Sequence, residues 1–559
     1  MTRVFELVLE IPSAAAREWC AGRASADGAD GDADGDIAAA QTDALLVKAL
    51  AALPGIAGRR RSVAHIAVRD FDAKRALGDA GWRLAVEASG AGRRVIAVHG
   101  EAHSPGITIR NAAFQAPLDA QELHEVSFDR APEAFRKVLP DPSRIEPTVS
   151  FECSRTRWRP LSTEAGLPVD VVFERIDVLD SSGFDGAPPV REIHLTVPVA
   201  DIANIPNISG VSDVHDAAEA LHAARRALFA MAREVVAALP AFAVLDSAVD
   251  RAYRDNFQTQ LEPVYAQPID LAGTATQRDA LIAIGGNLAR HWFGNEASVR
   301  DAANVESVHQ MRVAQRRLKT AMRLFRHWQD DAWTTQIAPG LKWLGDLLGD
   351  ARDWDVFIDS TLPALVAADT DAARWSATFD AANVQRLAMR ERIQHAMHSS
   401  RYAQLTLAWL EWQGELLHDD CRAAAGDVAA DSLHTHASKR VRKAFKQLMA
   451  APKLTTLDNA SRHQERIRAK RLRYTLEFIE SLTTKQTRGE VVKTLSRMQG
   501  VLGDGNDAVV ALGYLEQLEV DAYQLGFARG WCEAVKRYTA KEGERLLRTL
   551  GKPKLRDGG

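Results

Sequence analysis

The chain has 559 residues, 46% of them hydrophobic and 26% charged, which is too long for a single hydrophobic core and implies two or three domains. No apolar run approaches the roughly 18–20 residues that a membrane-spanning helix needs, and four widely spaced cysteines without a C-x-x-C pair, Cys20, Cys153, Cys421 and Cys532, suggest neither a disulfide framework nor a zinc site but small buried apolar residues. The formal net charge of −4 hides an asymmetry: residues 1–250 hold 26 Lys and Arg against 36 Asp and Glu, or −10, and residues 251–559 hold 44 against 38, or +6.

Met1 to Glu10 alternates like a strand and lacks the apolar core and cleavage site of a signal peptide, so the expectation is a cytoplasmic protein starting at this residue. Period-2 alternation between Gly, Pro and Asp breaks then predicts strands at Val4–Ile11, Ser62–Val68, Trp82–Glu87, Arg93–His99, Thr148–Cys153, Asp170–Ile176 and Arg191–Val197. They form an antiparallel β domain over residues 1–205. Ala24 to Asp36 is an Ala/Gly/Asp segment expected to be a mobile loop. Within it, Asp30 to Ile37 follows the first eight positions of a calcium-binding loop, but Gln41 stands where the closing carboxylate is required, so calcium binding is not expected. Residues 206–274 connect the two parts, with a helical pattern at Val214–Ala241 and a Pro/Gly-containing linker at Leu261–Gly273. Residues 275–559, rich in Ala, Leu, Arg, Glu and Gln, predict an all-helical bundle.

The strongest signal is an internal repeat at an offset of 154 residues. His309-Gln-Met-Arg-Val-Ala-Gln-Arg-Arg-Leu-Lys319 matches His463-Gln-Glu-Arg-Ile-Arg-Ala-Lys-Arg-Leu-Arg473, and Leu348-Gly-Asp-Ala-Arg-Asp353 matches Leu502-Gly-Asp-Gly-Asn-Asp507. On the first helix His309, Arg312, Arg316, Lys319, Arg323 and Arg326 advance in steps of three and four along one face. His463, Arg466, Lys470 and Arg473 repeat that face, and Lys439, Lys443 and Lys446 draw a shorter third stripe. A solvated surface would interleave acids, because like charges at i, i+4 repel; two matched basic faces point instead to a bound polyanion. Neither face interleaves the aromatics used to stack single-stranded bases, Tyr474 being only adjacent, or the Asn and Gln that read duplex edges. A bare chain of phosphates fits better, held by Arg forks and by counterion release. The Gly-Asp pairs read as helix ends, with Gly349 and Gly503 terminating one helix and Asp350 and Asp504 capping the next.

Val308–Lys319, Ala351-Arg-Asp-Trp-Asp-Val-Phe357 and Arg468-Ala-Lys-Arg-Leu-Arg-Tyr474 resemble the CHAD family over about residues 275–550. The resemblance implies a duplicated four-helix-bundle domain whose basic centre binds inorganic polyphosphate, often on polyphosphate granules. In many bacterial proteins such a domain follows a CYTH domain, an eight-stranded tunnel that hydrolyses triphosphate with Mg or Mn. Arg155-Thr-Arg-Trp158, Val169–Ile176 and Glu192-Ile-His-Leu-Thr-Val197 resemble that domain in diverged form.

The departures point away from catalysis. The family's E-x-E-x-K strand falls on Val4, Glu6 and Val8; its L-R-x-R strand falls on Leu84–Glu87; T-L-K becomes Ala97-Val98-His99. The closing E-x-E-x-E becomes Glu192, His194 and Thr196, and Asn111–Gln115 contributes no carboxylate. Glu6, Glu192 and His194 remain as residual metal candidates, and Arg155 and Arg157 as residual cations. The expectation is therefore a polyphosphate-binding protein that needs no cofactor and no membrane, with a non-catalytic or weakly active tunnel. The competing readings are a metal-dependent inorganic triphosphatase, and a nucleic-acid or protein interaction through the basic faces.

Overall fold

The computed structural model describes residues 3–26, 39–71, 76–118, 123–139, 145–160, 167–179, 189–198, 214–249, 251, 262–302, 304–418 and 432–556. The calcium-loop-like segment and most of the Ala/Gly/Asp loop lie outside these residues. Two compact units are formed, Met1–Leu261 with His398–His418, and Glu262–Met397 with Asp419–Gly559. Among the described residues no helix is long and apolar enough to cross a membrane, and Cys20, Cys153 and Cys532 are free and buried.

The first unit is a closed antiparallel barrel. Its strands are β1 (Arg3–Glu10), β2 (Ile56–Phe71), β3 (Trp82–Ser89), β4 (Gly92–Ser104), β5 (Ile107–Pro117), β6 (Ile145–Pro160), β7 (Asp170–Val178) and β8 (Val190–Pro198), in the order β5-β4-β3-β2-β6-β7-β8-β1. Pairing of β5 with β1 closes the ring, which removes the open edges an eight-stranded sheet would otherwise expose. A short β9 (Phe242–Val244) extends the β1 edge where β5 ends, pairing with Val8–Glu10. Partners directly opposite in an antiparallel ladder share a face, so the register sets Glu6, Glu10, Glu87, Arg94, Arg110, Arg155, Glu174, Glu192 and His194 on the inside. On the outside, Trp82, Leu84, Val86, Val95, Ala97 and Phe114 pack with Phe128 and Phe135. His99 sits here too, its ring centroid 4.7 Å from that of Trp82, and so points away from the interior.

Helices α1 (Ser13–Ala26), α2 (Ala39–Ala51) and α3 (Val214–Ala238) complete this unit, together with Ser400–Glu415, which the sequence assigned to the helical part. The reason is packing: Arg225 of α3, buried, reaches Glu415 at 3.3 Å, and a side chain at Gly414 would place its Cβ 2.5 Å from Arg225 Cδ. Phe242 of β9 also meets Tyr402, at 6.3 Å between ring centroids.

In the second unit four consecutive helices, α4 (Gln277–Phe293), α5 (Val305–Leu324), α6 (Ala338–Val356) and α7 (Ser376–Met397), each pack on the next. Ser400–Glu415 is α8. Four more, α9 (Leu433–Met449), α10 (Asn459–Phe478), α11 (Val492–Gln517) and α12 (Ala522–Arg548), repeat the arrangement. The 154-residue offset extends to the backbone. Asn304 caps α5 and Asp458 caps α10, and π-helical turns at Trp333–Ile337 and Thr487–Val491 lead into α6 and α11. The linker lacks helix or strand after residue 261, yet it is pinned, since Asn295 Nδ2 donates to the Val264 carbonyl (2.8 Å) and accepts from its amide through Oδ1 (3.0 Å).

The helix ends expected at Gly349 and Gly503 are not there: α6 and α11 run straight through both glycines. A true positive-φ glycine is Gly106 (φ +80°), following Pro105 in the turn between β4 and β5, as a type II turn requires. A Cβ there would also lie 3.0 Å from Leu410 Cδ1. Gly106→Ala is expected to destabilise the first unit by about 1–2 kcal/mol, read from chemical denaturation followed by circular dichroism.

Candidate functional site

The basic faces of the two repeats meet where α5 packs against α10. Arg316 and Arg312, their counterparts in the first repeat, act as like charges on both Lys470 and Arg466, and on Lys470 Arg466 acts more strongly than either. All four side chains are half-buried. Burial first, then the repulsion of Arg466, Arg316 and Arg312, pushes the Lys470 ammonium down to about 6. Burial likewise lowers Arg316 and Arg466, with Arg312 adding to both, against the pull of Tyr474 on the first and of Asp507 on the second. These are shifts against the charged form, the signature of cations crowded together with too few anions.

The partial counterweights come from α6 and α11. Arg312 Nη1 donates to Asp353 Oδ1 (2.8 Å) and to the Gly349 carbonyl (3.1 Å). In the second repeat Asp507 lies near Arg466 and Lys470, and burial raises its carboxyl. Asp353 therefore orients a guanidinium from within α6, and Asp350 and Asp504, expected to cap a following helix, lie inside α6 and α11. Glycine has a use on this face of α6: a Cβ at residue 345 would stand 2.7 Å from Lys319 Nζ, so the first repeat lays its lysine over bare backbone. At the equivalent place in the second repeat, Arg473 Nε donates to Gln499 Oε1 (3.0 Å). Tyr474, buried, lies beneath two guanidiniums, those of Arg473 and Arg316, at 4.6 and 5.1 Å from its ring centroid.

The remaining basic positions are placed unevenly. His309 is pushed down to about 4 by burial and by Arg352, and His463 Nδ1 donates to Asn506 Oδ1 (2.6 Å). Lys319 is lowered by burial, with Arg323 and Arg312 adding to it against Asp346, and Arg323 by burial and by Arg471. Arg326 is not on the α5 face, because the helix ends at Leu324 and Arg326 begins a separate 3-10 turn. Lys439, Lys443 and Lys446 stand exposed on α9, opposite its buried Leu433, Ala437, Val441 and Leu448. The α9 cation that turns inward is Arg440, 3.2 Å from His327. Arg317 is a different element: 1% exposed, it ties α5 to Asn287, His291 and Glu477 as a structural pin.

The barrel interior holds the residual metal candidates in a closed ionic network. His194 Nδ1 donates to Glu6 Oε1 (2.9 Å), and its Nε2 lies 3.3 Å from Glu192 Oε2 and 3.6 Å from Glu174 Oε2. Glu6 is also bound by Arg110, and Glu174 by Arg155 (2.6 Å), which in turn reaches Glu87 (2.5 Å). Arg94 donates to Glu87 (2.8 Å), and Glu192 Oε1 accepts from the Ala248 amide (2.6 Å) with Arg251 at 3.6 Å. Burial would raise the Glu6 carboxyl, but Arg110 and His194 outweigh it and bring it to about 2; burial would lower His194, but Glu174, Glu192 and Glu6 hold it well above its ordinary range. A divalent cation needs free carboxylate oxygens, and those of Glu6, Glu174 and Glu192 face cations or amides of the chain itself. The donor set does not fit a metal, and among the described residues no group of three or more His, Cys, Asp or Glu is arranged to hold one. Arg110, Arg94, Glu174 and Arg251 carry no signal in the diverged motifs, since they are recognisable only from which strands become neighbours.

The helical cluster yields a stability expectation. Because the folded value of Lys470 lies below the unfolded one, the free protein loses stability as pH falls from about 10 toward 6, where the folded state resists the proton. Lys470→Met should remove that loss and stabilise the second unit by about 1–3 kcal/mol near pH 6, and much less near pH 10; thermal unfolding at the two pH values checks it.

Residues 283–516 match the CHAD domain family. An uncharacterized protein of Mycobacterium tuberculosis is 30% identical over 234 residues, 40% of this chain and 42% of that relative, so the chain spans about two fifths of its length. The crystal structure of the CHAD domain from the plant Ricinus communis is 31% identical, with a TM-score of 0.46, covering 53% of this chain and 99% of that one. A Hippeastrum protein described as having a dominant triphosphatase activity covers 35% of this chain and 80% of its own at 13% identity and a TM-score of 0.21. The half-buried cluster of repeat-related cations thus lies within residues 283–516, and that part of the chain, following a closed eight-stranded antiparallel barrel, is a CHAD domain.

Proposed function

We propose that the protein binds inorganic polyphosphate through the cluster centred on Arg312, Arg316, Arg466 and Lys470, in a cytoplasmic role on polyphosphate granules, and that its barrel hydrolyses triphosphate weakly or not at all. One observation carries the reading: three guanidiniums and the Lys470 amine, drawn from two repeats, are held together at half burial with Asp353 and Asp507 beside them. Fold stability alone disfavours such crowding, and a polyanion relieves it. A phosphate chain suits the cluster better than a nucleic acid does, because the aromatic face at hand, Tyr474, is already covered by Arg316 and Arg473 and cannot stack a base. In the barrel Glu6, Glu174 and Glu192 each lie beside Arg110, Arg155 or His194, which leaves few carboxylate oxygens for a metal and engages Arg110 and Arg155 away from a triphosphate.

The intact chain is the material to test, since Ser400–Glu415 folds with the first unit although it lies inside the CHAD match. Affinity for long-chain polyphosphate should fall steeply with salt, and changing Arg312, Arg316, Arg466 and Lys470 together to Glu should weaken it by about 10³-fold or more; unchanged affinity in a fluorescence titration would refute the assignment. RNA at matched salt should compete poorly. Rapid turnover of triphosphate with Mg or Mn would instead support the enzyme reading.

Binding should also be linked to protons. A bound anion opposes the burial and the repulsion that together hold Lys470 near 6 in the free protein, so its pKa rises on binding. Complex formation above pH 6 then takes up a proton, and affinity declines as pH rises. Calorimetry in buffers of different ionisation enthalpy should show a buffer-dependent heat, which Lys470→Met abolishes.

A further inference from the structure

The barrel interior has its own cations where a tunnel enzyme would need exogenous ones. His194 directs one ring nitrogen to Glu6 and the other between Glu192 and Glu174, joining β1, β7 and β8. The second occupant comes from the segment after β9. Ala248 and Val249 pack against Ala64, Ile66, Ala85, Phe151, Cys153 and Ile176, which the register places on the inner face. Its Ala248 amide binds Glu192, and Arg251 binds Glu10 and lies 3.6 Å from Glu192. The cluster matches five carboxyl groups, Glu6, Glu10, Glu87, Glu174 and Glu192, with Arg94, Arg110, Arg155, Arg251 and His194, and burial raises the carboxyl of Glu192.

We propose that His194 is a built-in cation which, with Ala248, Val249 and Arg251, fills the place a divalent ion and its phosphate ligand would occupy, so that the barrel is an ionically closed core. This rests on the reading of the barrel as catalytically weak and supplies its physical cause. An added divalent ion would have to displace the imidazolium from three carboxylates at once, and a phosphate would meet Glu10 and Glu192 already paired with Arg251. The substitution of one side chain should reverse the first condition. With Glu at residue 194, the three carboxylates would become four around the vacated centre, and a hard cation would meet one more carboxylate and no competing imidazolium.

The test is Mn2+ binding by the full-length chain, followed by electron paramagnetic resonance of free Mn2+, with circular dichroism as the folding control. Wild type should show no saturable site that Glu192→Gln removes, and His194→Glu should create one that binds at least about tenfold tighter than any wild-type background. If His194→Glu does not fold, His194→Gln carries the test, because it keeps a hydrogen-bond donor and removes the charge; it too should gain Mn2+. A wild-type site lost in Glu192→Gln, or a folded variant that gains nothing, overturns the proposal. Triphosphate turnover by wild type would overturn the reading beneath it, whereas absent turnover together with absent Mn2+ gain refutes the built-in cation alone.

Discussion

Like charge held at half burial is the constraint around which the helical unit is arranged. α5 packs on α10, and Met311, Leu318 and Met322 of the one helix and Leu472 and Leu476 of the other are buried, each contributing roughly 1.5–3 kcal/mol. That same packing forces Arg312, Arg316, Arg466 and Lys470 to face one another. Details around the cluster lessen the crowding: Gly345 and Gly349 let Lys319 and Arg312 lie close to the α6 backbone, Asp353 takes one guanidinium, and the ring of Tyr474 lies under two others.

The barrel resolves the opposite problem. Its interior carboxylates Glu6, Glu87, Glu174 and Glu192 are more deeply buried than the helical cations, Glu192 completely so, but each has a partner supplied by a neighbouring strand or by the segment after β9. Such a network offers a ligand little, because Glu6, Glu87 and Glu174 are bound by arginines or His194, although Glu192 Oε2 and His194 Nε2 lie buried 3.3 Å apart without a hydrogen bond. The two units therefore differ in the sense that matters for binding: one holds uncompensated charge and the other holds none to spare in its central cluster.

Much of this was legible from the residues alone. Alternation located seven strands, and the register that alternation implies puts Glu6, Glu192 and His194 on one face, as the barrel has them. What alternation missed was β5, whose Ile107–Pro117 stretch has little contrast between its two faces, and the helices α1 and α2, which flank low-complexity sequence. The Gly-Asp pairs misled because glycine is used here for close approach of side chains to a helix, a role that local sequence does not distinguish from a helix end.

The 154-residue repeat and its three-and-four spacing determined by themselves that two basic helix faces exist, since helical geometry fixes which residues share a face. Only the tertiary structure decided that these faces meet, that Arg326 and the α9 lysines are left outside, and that Asp353 and Asp507 are brought in. The same holds in the barrel, where Arg110, Arg155 and Arg251 reach their carboxylates from separate strands and from the segment after β9. The physical reason is that pairing energies depend on distance and burial, and those are set by which elements become neighbours, whereas a linear pattern specifies only the face each element offers.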